Sequence, residues 1–193
     1  MKRKDIILSG VGGQGILTIA AVIGEAALSD SLFIKQAEVH GMSQRGGDVQ
    51  SNLRISDEPV YSDLIARGCA DVIISLEPME ALRYAHYLAP EGWIITGSVP
   101  LVNITNYPDA EAVYAALREY KRLIMIDADA IAKENGTPNS ANMVILGAAS
   151  TILEIDYHKL ENGVREVFSR KGDAVVEANL SALLAGYEAA AKR

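Results

Sequence analysis

Short apolar runs alternate along this chain with stretches in which apolar residues recur at helical spacing. Asp5–Ser9 (DIILS) runs apolar into a glycine turn, the pattern of a buried first strand. From Ile16 onward Ile16, Leu17, Ile19, Ala20, Val22, Ile23, Ala26 and Ala27 share one helical stripe. That predicts a helix to about Leu28, broken by Ser29-Asp30-Ser31. Leu32–Ala37 reads as a second strand, and residues 38–48 as a glycine-rich polar loop. Val49, Ser51, Leu53 and Ile55 then alternate with Gln50, Asn52 and Arg54, which predicts a half-exposed strand. Ser56-Asp57-Glu58-Pro59 turns it towards Val60-Tyr61, read here as a hairpin. No crossover helix separates these strands, so the sheet is expected to be mixed.

The rest of the chain keeps the alternation. Strands are predicted over Asp71–Ser75, Trp93–Thr96 and Leu123–Asp127, with Pro90–Gly92 as a turn. Helices are predicted from Pro78 to about Leu88, over Asp109–Tyr120, and over Ala141–Leu153, Asp156–Phe168 and Asp173–Lys192. Lys133–Asn142 reads as a polar loop in which Asn139 or Ser140 caps the next helix. The expected fold class is α/β: a three-layer α/β/α sandwich on a mixed, mostly parallel sheet with a Rossmann-like start, forming one domain over residues 1–193.

Two stretches carry candidate chemistry. SGVGGQG places Gly10, Gly12 and Gly15 in a G-x-G-x-x-G pattern between a strand and a helix, the arrangement that cradles phosphates. A dinucleotide site also wants an acid at the end of the second strand, and Glu38 stands at that distance. Gln14 departs from that pattern, because it puts a long polar side chain where a pyrophosphate would lie. The second stretch, HGMSQRGG, sets His40, Gln44 and Arg45 beside Gly46 and Gly47. Arg45 offers a planar fork of donors to a carboxylate or phosphate, or else pairs with an acid of its own chain. His40 either moves protons near neutral pH or holds a structural hydrogen bond. The ligand or subunit-contact candidates are therefore Gly10, Gly12, Gly13, Gln14, Gly15, Glu38, His40, Gln44, Arg45, Gly46 and Gly47.

Composition narrows the chemistry. A formal net charge of −7 repels phosphate backbones and argues against nucleic acid. The single cysteine, Cys69, cannot hold an iron–sulfur cluster, which takes about four thiolates, and it suits a cytoplasmic location. No apolar run approaches the roughly 18 residues of a membrane span. His86 and His158 read as structural or solvent-facing, the aspartates Asp127 and Asp129 as helix caps, and no spacing suggests a metal site. No self-sufficient catalytic constellation emerges.

GVGGQG (Gly10–Gly15), EVHGMSQRGG (Glu38–Gly47), LRIS (Leu53–Ser56), LEPMEALRY (Leu76–Tyr84) and SANMVILGA (Ser140–Ala148) occur together and in order. In this the chain resembles the gamma-type domain of 2-oxoacid:ferredoxin oxidoreductases, and within that family the small (beta) subunit of the indolepyruvate enzymes. The resemblance covers about residues 5 to 155. It implies a part in the oxidative decarboxylation of a 2-oxo acid, of aryl pyruvate type, to an acyl-CoA, with electrons passed to ferredoxin. It also implies that thiamine diphosphate, Mg and the iron–sulfur clusters sit in a large alpha subunit, with coenzyme A as co-substrate. This chain lacks both the cluster cysteines and a GDG-type thiamine motif, so it is expected to bind neither cofactor alone. A homodimer of the isolated chain stays open. The competing expectation, from the glycine turn alone, is a stand-alone Rossmann-like nucleotide-binding protein.

Overall fold

The computed structural model describes residues 3–40 and 46–192. Its strands are β1 (Arg3–Val11), β2 (Phe33–His40), β3 (Asp48–Ser56), β4 (Ala70–Ser75), β5 (Leu88–Gly97) and β6 (Leu123–Ile126). The α-helices are α1 (Ile16–Ser29), α2 (Pro78–Arg83), α3 (Ala110–Arg118), α4 (Ala128–Glu134), α5 (Ala141–Leu153), α6 (Tyr157–Phe168) and α7 (Asp173–Ala191). The strands form one sheet in the order β2-β3-β1-β4-β5-β6. Only β3 runs against its neighbours; the pairs β1–β4, β4–β5 and β5–β6 are parallel. The fold is thus a three-layer α/β/α sandwich on a mixed, mostly parallel sheet.

Strand alternation assigns the two faces. Ile6, Leu8, Leu53, Ile55, Val72 and Ile74 enter the larger core, which packs on α1, α5, α6 and α7. Ile7, Ile73 and Ile94 point the other way, into a smaller core with Ala81 of α2 and Val113 and Leu117 of α3. Glycine sets the distance between two helices of the larger layer. A Cβ on Gly147 of α5 would lie 1.9 Å from the Leu183 carbonyl oxygen of α7, and one on Gly186 of α7 would lie 1.9 Å from the Val144 oxygen. The two backbones therefore touch, which only hydrogen at those positions permits.

Several expectations are corrected. The hairpin joins β2 to β3, and residues 57–69 contain no strand. That segment runs across the polar face of β3: Arg54 donates to the Ser62 and Leu64 carbonyls, both at 3.0 Å, and Asn52 Oδ1 accepts from Ile65 N at 3.1 Å. Arg54 also grips the buried Asp5 carboxylate at 2.9 and 3.1 Å. β3 is consequently buried on both faces rather than half-exposed, because Asn52 and Arg54 bond to chain instead of water. The helix from Pro78 stops at Arg83, and Pro90–Gly92 belongs to β5 rather than a turn. α4 replaces the first part of the expected polar loop. Asp127 caps it by accepting from Ala130 N at 2.8 Å. Ser140 occupies the cap position of α5 without a side-chain capping bond.

Candidate functional site

Parallel β1, β4, β5 and β6 all end at one edge of the sheet, and the β2–β3 connection returns to that same edge. Ligands of open α/β sheets bind at such an edge, outside the carboxyl ends of the strands. Three pieces of chain meet here: the glycine turn, the 46–47 stretch and the 98–107 loop.

The glycine turn is held from within. Gln14 Oε1 accepts from Val11 N at 2.8 Å, and Gln14 Nε2 donates to the Leu76 carbonyl at 3.4 Å. The glutamine that looked obstructive is the staple that shapes the turn. Gly15, at φ +91°, caps α1 in a left-handed conformation. Its hypothetical Cβ would lie 2.6 Å from Asn142 Nδ2, which donates to the Gly15 carbonyl at 3.3 Å. Gly12 bridges to the second stretch: its N–H donates to the Gly47 carbonyl at 2.8 Å and its carbonyl accepts from Gly46 N at 3.2 Å. The Gln14 amide returns to the Val11 carbonyl at 3.1 Å. An anion at this turn would therefore meet the amides of Gly13 and Gly15, since those of Gly12 and Gln14 are taken by main chain.

A cavity of about 530 Å³ opens beside the turn, lined by Val11, Gly12, Gly13, Gly15, Ile16, Leu17, Glu38, His40 and Val49. The structure thus brings both sequence stretches to one space. His40 Nε2 lies 3.9 Å from Glu38 Oε1 across its mouth. Glu38 does not occupy the usual ribose-binding position, because β3 is inserted between β2 and β1. The acid is two strand spacings from the glycine strand, about 9.5 Å instead of about 4.8 Å. Gln44 and Arg45 lie outside the described residues. Gln14 faces a second cavity, of about 240 Å³, with Gly97, Asp129 and Asn142. Gly10 lines neither; a Cβ there would strike Ile16 Cδ1 at 2.5 Å, so it serves packing.

Residues 98–107 received no role from the sequence, yet they complete the edge. The loop exposes Val99, Leu101, Val102 and Ile104. The fully buried Glu77 anchors it: Oε1 accepts from Leu101 N at 3.3 Å and from the Tyr107 hydroxyl, while Oε2 caps α2 by accepting from Glu80 N at 2.9 Å. Burial, and then the bond to Glu77, push the Tyr107 hydroxyl pKa up. Asn103 Nδ2 donates to the Gly46 carbonyl, tying this loop to the second stretch. Across α2, the Tyr84 hydroxyl donates to Asp48 Oδ2 at 3.0 Å, at the foot of that stretch. The signal available in sequence was Glu77-Pro78-Met79-Glu80, an acid at the N-cap with proline at the first helical position and a second acid two residues further. Glu80 is itself buried, and loss of water raises its pKa against the opposing pull of Arg83 at 2.9 Å.

The first cavity offers main chain, aliphatic side chains, one carboxyl group and one imidazole. Its described lining residues include no hydroxyl or thiol nucleophile beside a base. Among the described residues no three His, Cys, Asp or Glu side chains gather as a metal site, and none of their helices is long and apolar enough to cross a membrane. The described residues of this site can shape and hold a ligand, and none of them is placed to break a bond.

The family model for pyruvate ferredoxin/flavodoxin oxidoreductase matches residues 5–189. The indolepyruvate oxidoreductase subunit IorB of Archaeoglobus fulgidus is 36% identical over an alignment covering 97% of this chain and 96% of its own. A keto/oxoacid ferredoxin oxidoreductase gamma subunit from Geobacter sulfurreducens superposes with a TM-score of 0.71 at 26% identity, covering 98% of this chain and 99% of that one. The 2-oxoglutarate:ferredoxin oxidoreductase of Magnetococcus marinus, solved with 2-oxoglutarate, coenzyme A and succinyl-CoA bound, reaches a TM-score of 0.78 at 23% identity. There the whole of this chain corresponds to 32% of a longer one.

Proposed function

This chain belongs to the pyruvate ferredoxin/flavodoxin oxidoreductase family, and we propose that it acts as the small subunit of a 2-oxoacid:ferredoxin oxidoreductase of the indolepyruvate type. The complex oxidatively decarboxylates an aryl pyruvate to an acyl-CoA in the cytoplasm and delivers electrons to ferredoxin. A large alpha subunit carries thiamine diphosphate, Mg and the iron–sulfur clusters. The residues of this chain do not fit the clusters: one exposed cysteine cannot supply their thiolates. The isolated chain is accordingly inactive.

What this chain contributes is a wall that positions a ligand. The observation that carries this reading is the main-chain pairing of Gly12 with Gly46 and Gly47, which fuses two loops into one rim around the 530 Å³ cavity. The Gly13 and Gly15 amides at the start of α1 favour an anion, and Arg45, next to Gly46 in the sequence, is the residue type suited to pair with that charge. The ligand is the anionic part of coenzyme A, or the carboxylate of the 2-oxo acid, delivered to the large subunit's reaction centre. Placement of this kind accelerates the reaction by holding the reacting groups in register.

The test is Arg45→Ala in a complex reconstituted with its large subunit. The expected result is a KM raised about tenfold for coenzyme A or for the oxo acid, the scale of one charge-assisted contact. Unchanged kinetics for both would sink the ligand role. Thermal stabilisation of the isolated chain by NAD(P), FAD or ATP would favour the nucleotide-binding alternative instead.

A further inference from the structure

The geometry points to Glu77 as a positioning residue that sets the candidate site through a relay of three loops. Its side chain is fully buried and is not itself part of either cavity's lining, though its partner Leu101 lines the smaller one. All three side-chain hydrogen bonds go to defined partners: Glu80 N at the start of α2, and Leu101 N and the Tyr107 hydroxyl in the middle and at the far end of the 98–107 loop. That loop carries Asn103, whose amide holds the Gly46 carbonyl. Gly46 and Gly47 in turn hold Gly12, in the rim of the larger cavity. A buried acid thus connects to the glycine turn by an unbroken series of directional bonds: Glu77 to Leu101 and Tyr107, Asn103 to Gly46, Gly46 to Gly12.

The loop has no other obvious reason to stay where it is. It has no regular secondary structure and turns aliphatic side chains outward, with Val102 69% exposed. Apolar burial therefore does little to fix it, and the polar anchors decide its place. Tyr114 adds one more at its start, donating to the Ser98 carbonyl at 2.6 Å. Glu77 is the anchor shared by the middle and the far end. Leucine at this position keeps the bulk but removes every acceptor, leaving the Leu101 and Glu80 amides and the Tyr107 hydroxyl without this partner.

The relay can be read amide by amide, because Leu101, Gly46 and Gly12 each donate a backbone N–H to it. In hydrogen exchange on the full chain, Glu77→Leu is expected to speed exchange at all three by about tenfold or more, the scale of one lost hydrogen bond. The core amides of Ile73 and Ile74 should keep their wild-type rates. Asn103→Ala should speed Gly46 and Gly12 while leaving Leu101 alone. Acceleration at Leu101 without Gly46 and Gly12 overturns the relay, and so does uniform acceleration that includes the core. If Glu77→Leu does not fold, Asn103→Ala decides alone, and unchanged exchange at Gly46 and Gly12 overturns the relay. The consequence for catalysis rests on the proposed ligand role. In the reconstituted complex both variants should raise KM for coenzyme A or the oxo acid by more than they lower kcat. A null result for Arg45→Ala would remove the ligand role but leave the exchange result standing. A raised KM in Arg45→Ala, with Glu77→Leu and Asn103→Ala at wild-type values, would instead remove the positioning role.

Discussion

Alanine substitution at two helical glycines should change stability in opposite directions. At Gly147 the new Cβ would start 1.9 Å from the Leu183 carbonyl oxygen. A carbon–oxygen contact needs about 3.3 Å, so α5 and α7 would have to separate locally by roughly 1.4 Å. A gap of 0.5–1 Å already forfeits about a quarter to a half of a van der Waals contact. Val144, Ala148, Leu180 and Leu183 all pack in this layer, so the loss is shared among several large contacts. Overpacking of a rigid site costs about 1–3 kcal/mol, and Gly147→Ala belongs at the top of that range, about 3 kcal/mol. Gly24 lies in the middle of α1, and its nearest neighbour for a new Cβ is Ile34 Cδ1 at 3.9 Å, an ordinary contact. There alanine meets no obstacle and removes backbone freedom from the unfolded chain, for a gain of about 0.5–1 kcal/mol. For a chain of this size the first change lowers Tm by roughly 6–12 °C and the second raises it by roughly 1–4 °C. Because Gly186→Ala demands the same helix separation, the double variant Gly147→Ala/Gly186→Ala should cost less than the sum of the singles. Thermal and urea unfolding of the four variants measure this. A Gly147→Ala protein within 0.5 kcal/mol of wild type, or additive costs in the double variant, would refute the account of the crossing.

Three further predictions follow from the same contacts. Arg54→Met strands the Asp5 carboxylate, 1% exposed, with Arg3 as its remaining cation; unfolding measurements should show a loss of about 3–5 kcal/mol, with proteolysis appearing first in residues 57–69. Gly15→Ala forces a left-handed residue with a Cβ, at about 1–2 kcal/mol, and displaces Asn142; an NMR spectrum should show shifts confined to the glycine turn and the start of α5. His158 is raised above its ordinary pKa, first by its hydrogen bond to Glu161 at 2.7 Å and then by the charges of Glu161 and Asp156. A raised folded-state value means that the contribution to stability is full below the ordinary histidine pKa and fades as pH rises through the folded one. An imidazole titration by NMR should place the midpoint above the ordinary value, and Glu161→Gln should bring it down.

The alternation of apolar runs and helical stripes was enough to name the fold class, because burial against a sheet demands those two periods whatever the topology. The two glycine-marked stretches were equally legible, since a glycine-rich run is a local property. Strand order was not. Whether β3 pairs with β2 or with Val60-Tyr61 depends on what covers its polar face, and Gln50, Asn52 and Arg54 look solvated until residues 57–69 lie across them. Gln14 read as an obstruction for a similar reason: its partners, Val11 N and the Leu76 carbonyl, are 3 and 62 residues away.

By itself the sequence determined that this is an α/β protein with a glycine turn after its first strand, a second glycine-rich loop, and too few thiols for cluster chemistry. Each of these is a property of neighbouring residues or of composition, so no long-range information was needed. Only the tertiary structure decided that the two loops share one cavity, that Gly12 spends its amide on Gly47, and that a loop without any recognisable motif is pinned beside them by Glu77. Those facts depend on contacts between residues dozens of positions apart. The chain reveals them only when the parallel strands bring their carboxyl ends to one edge.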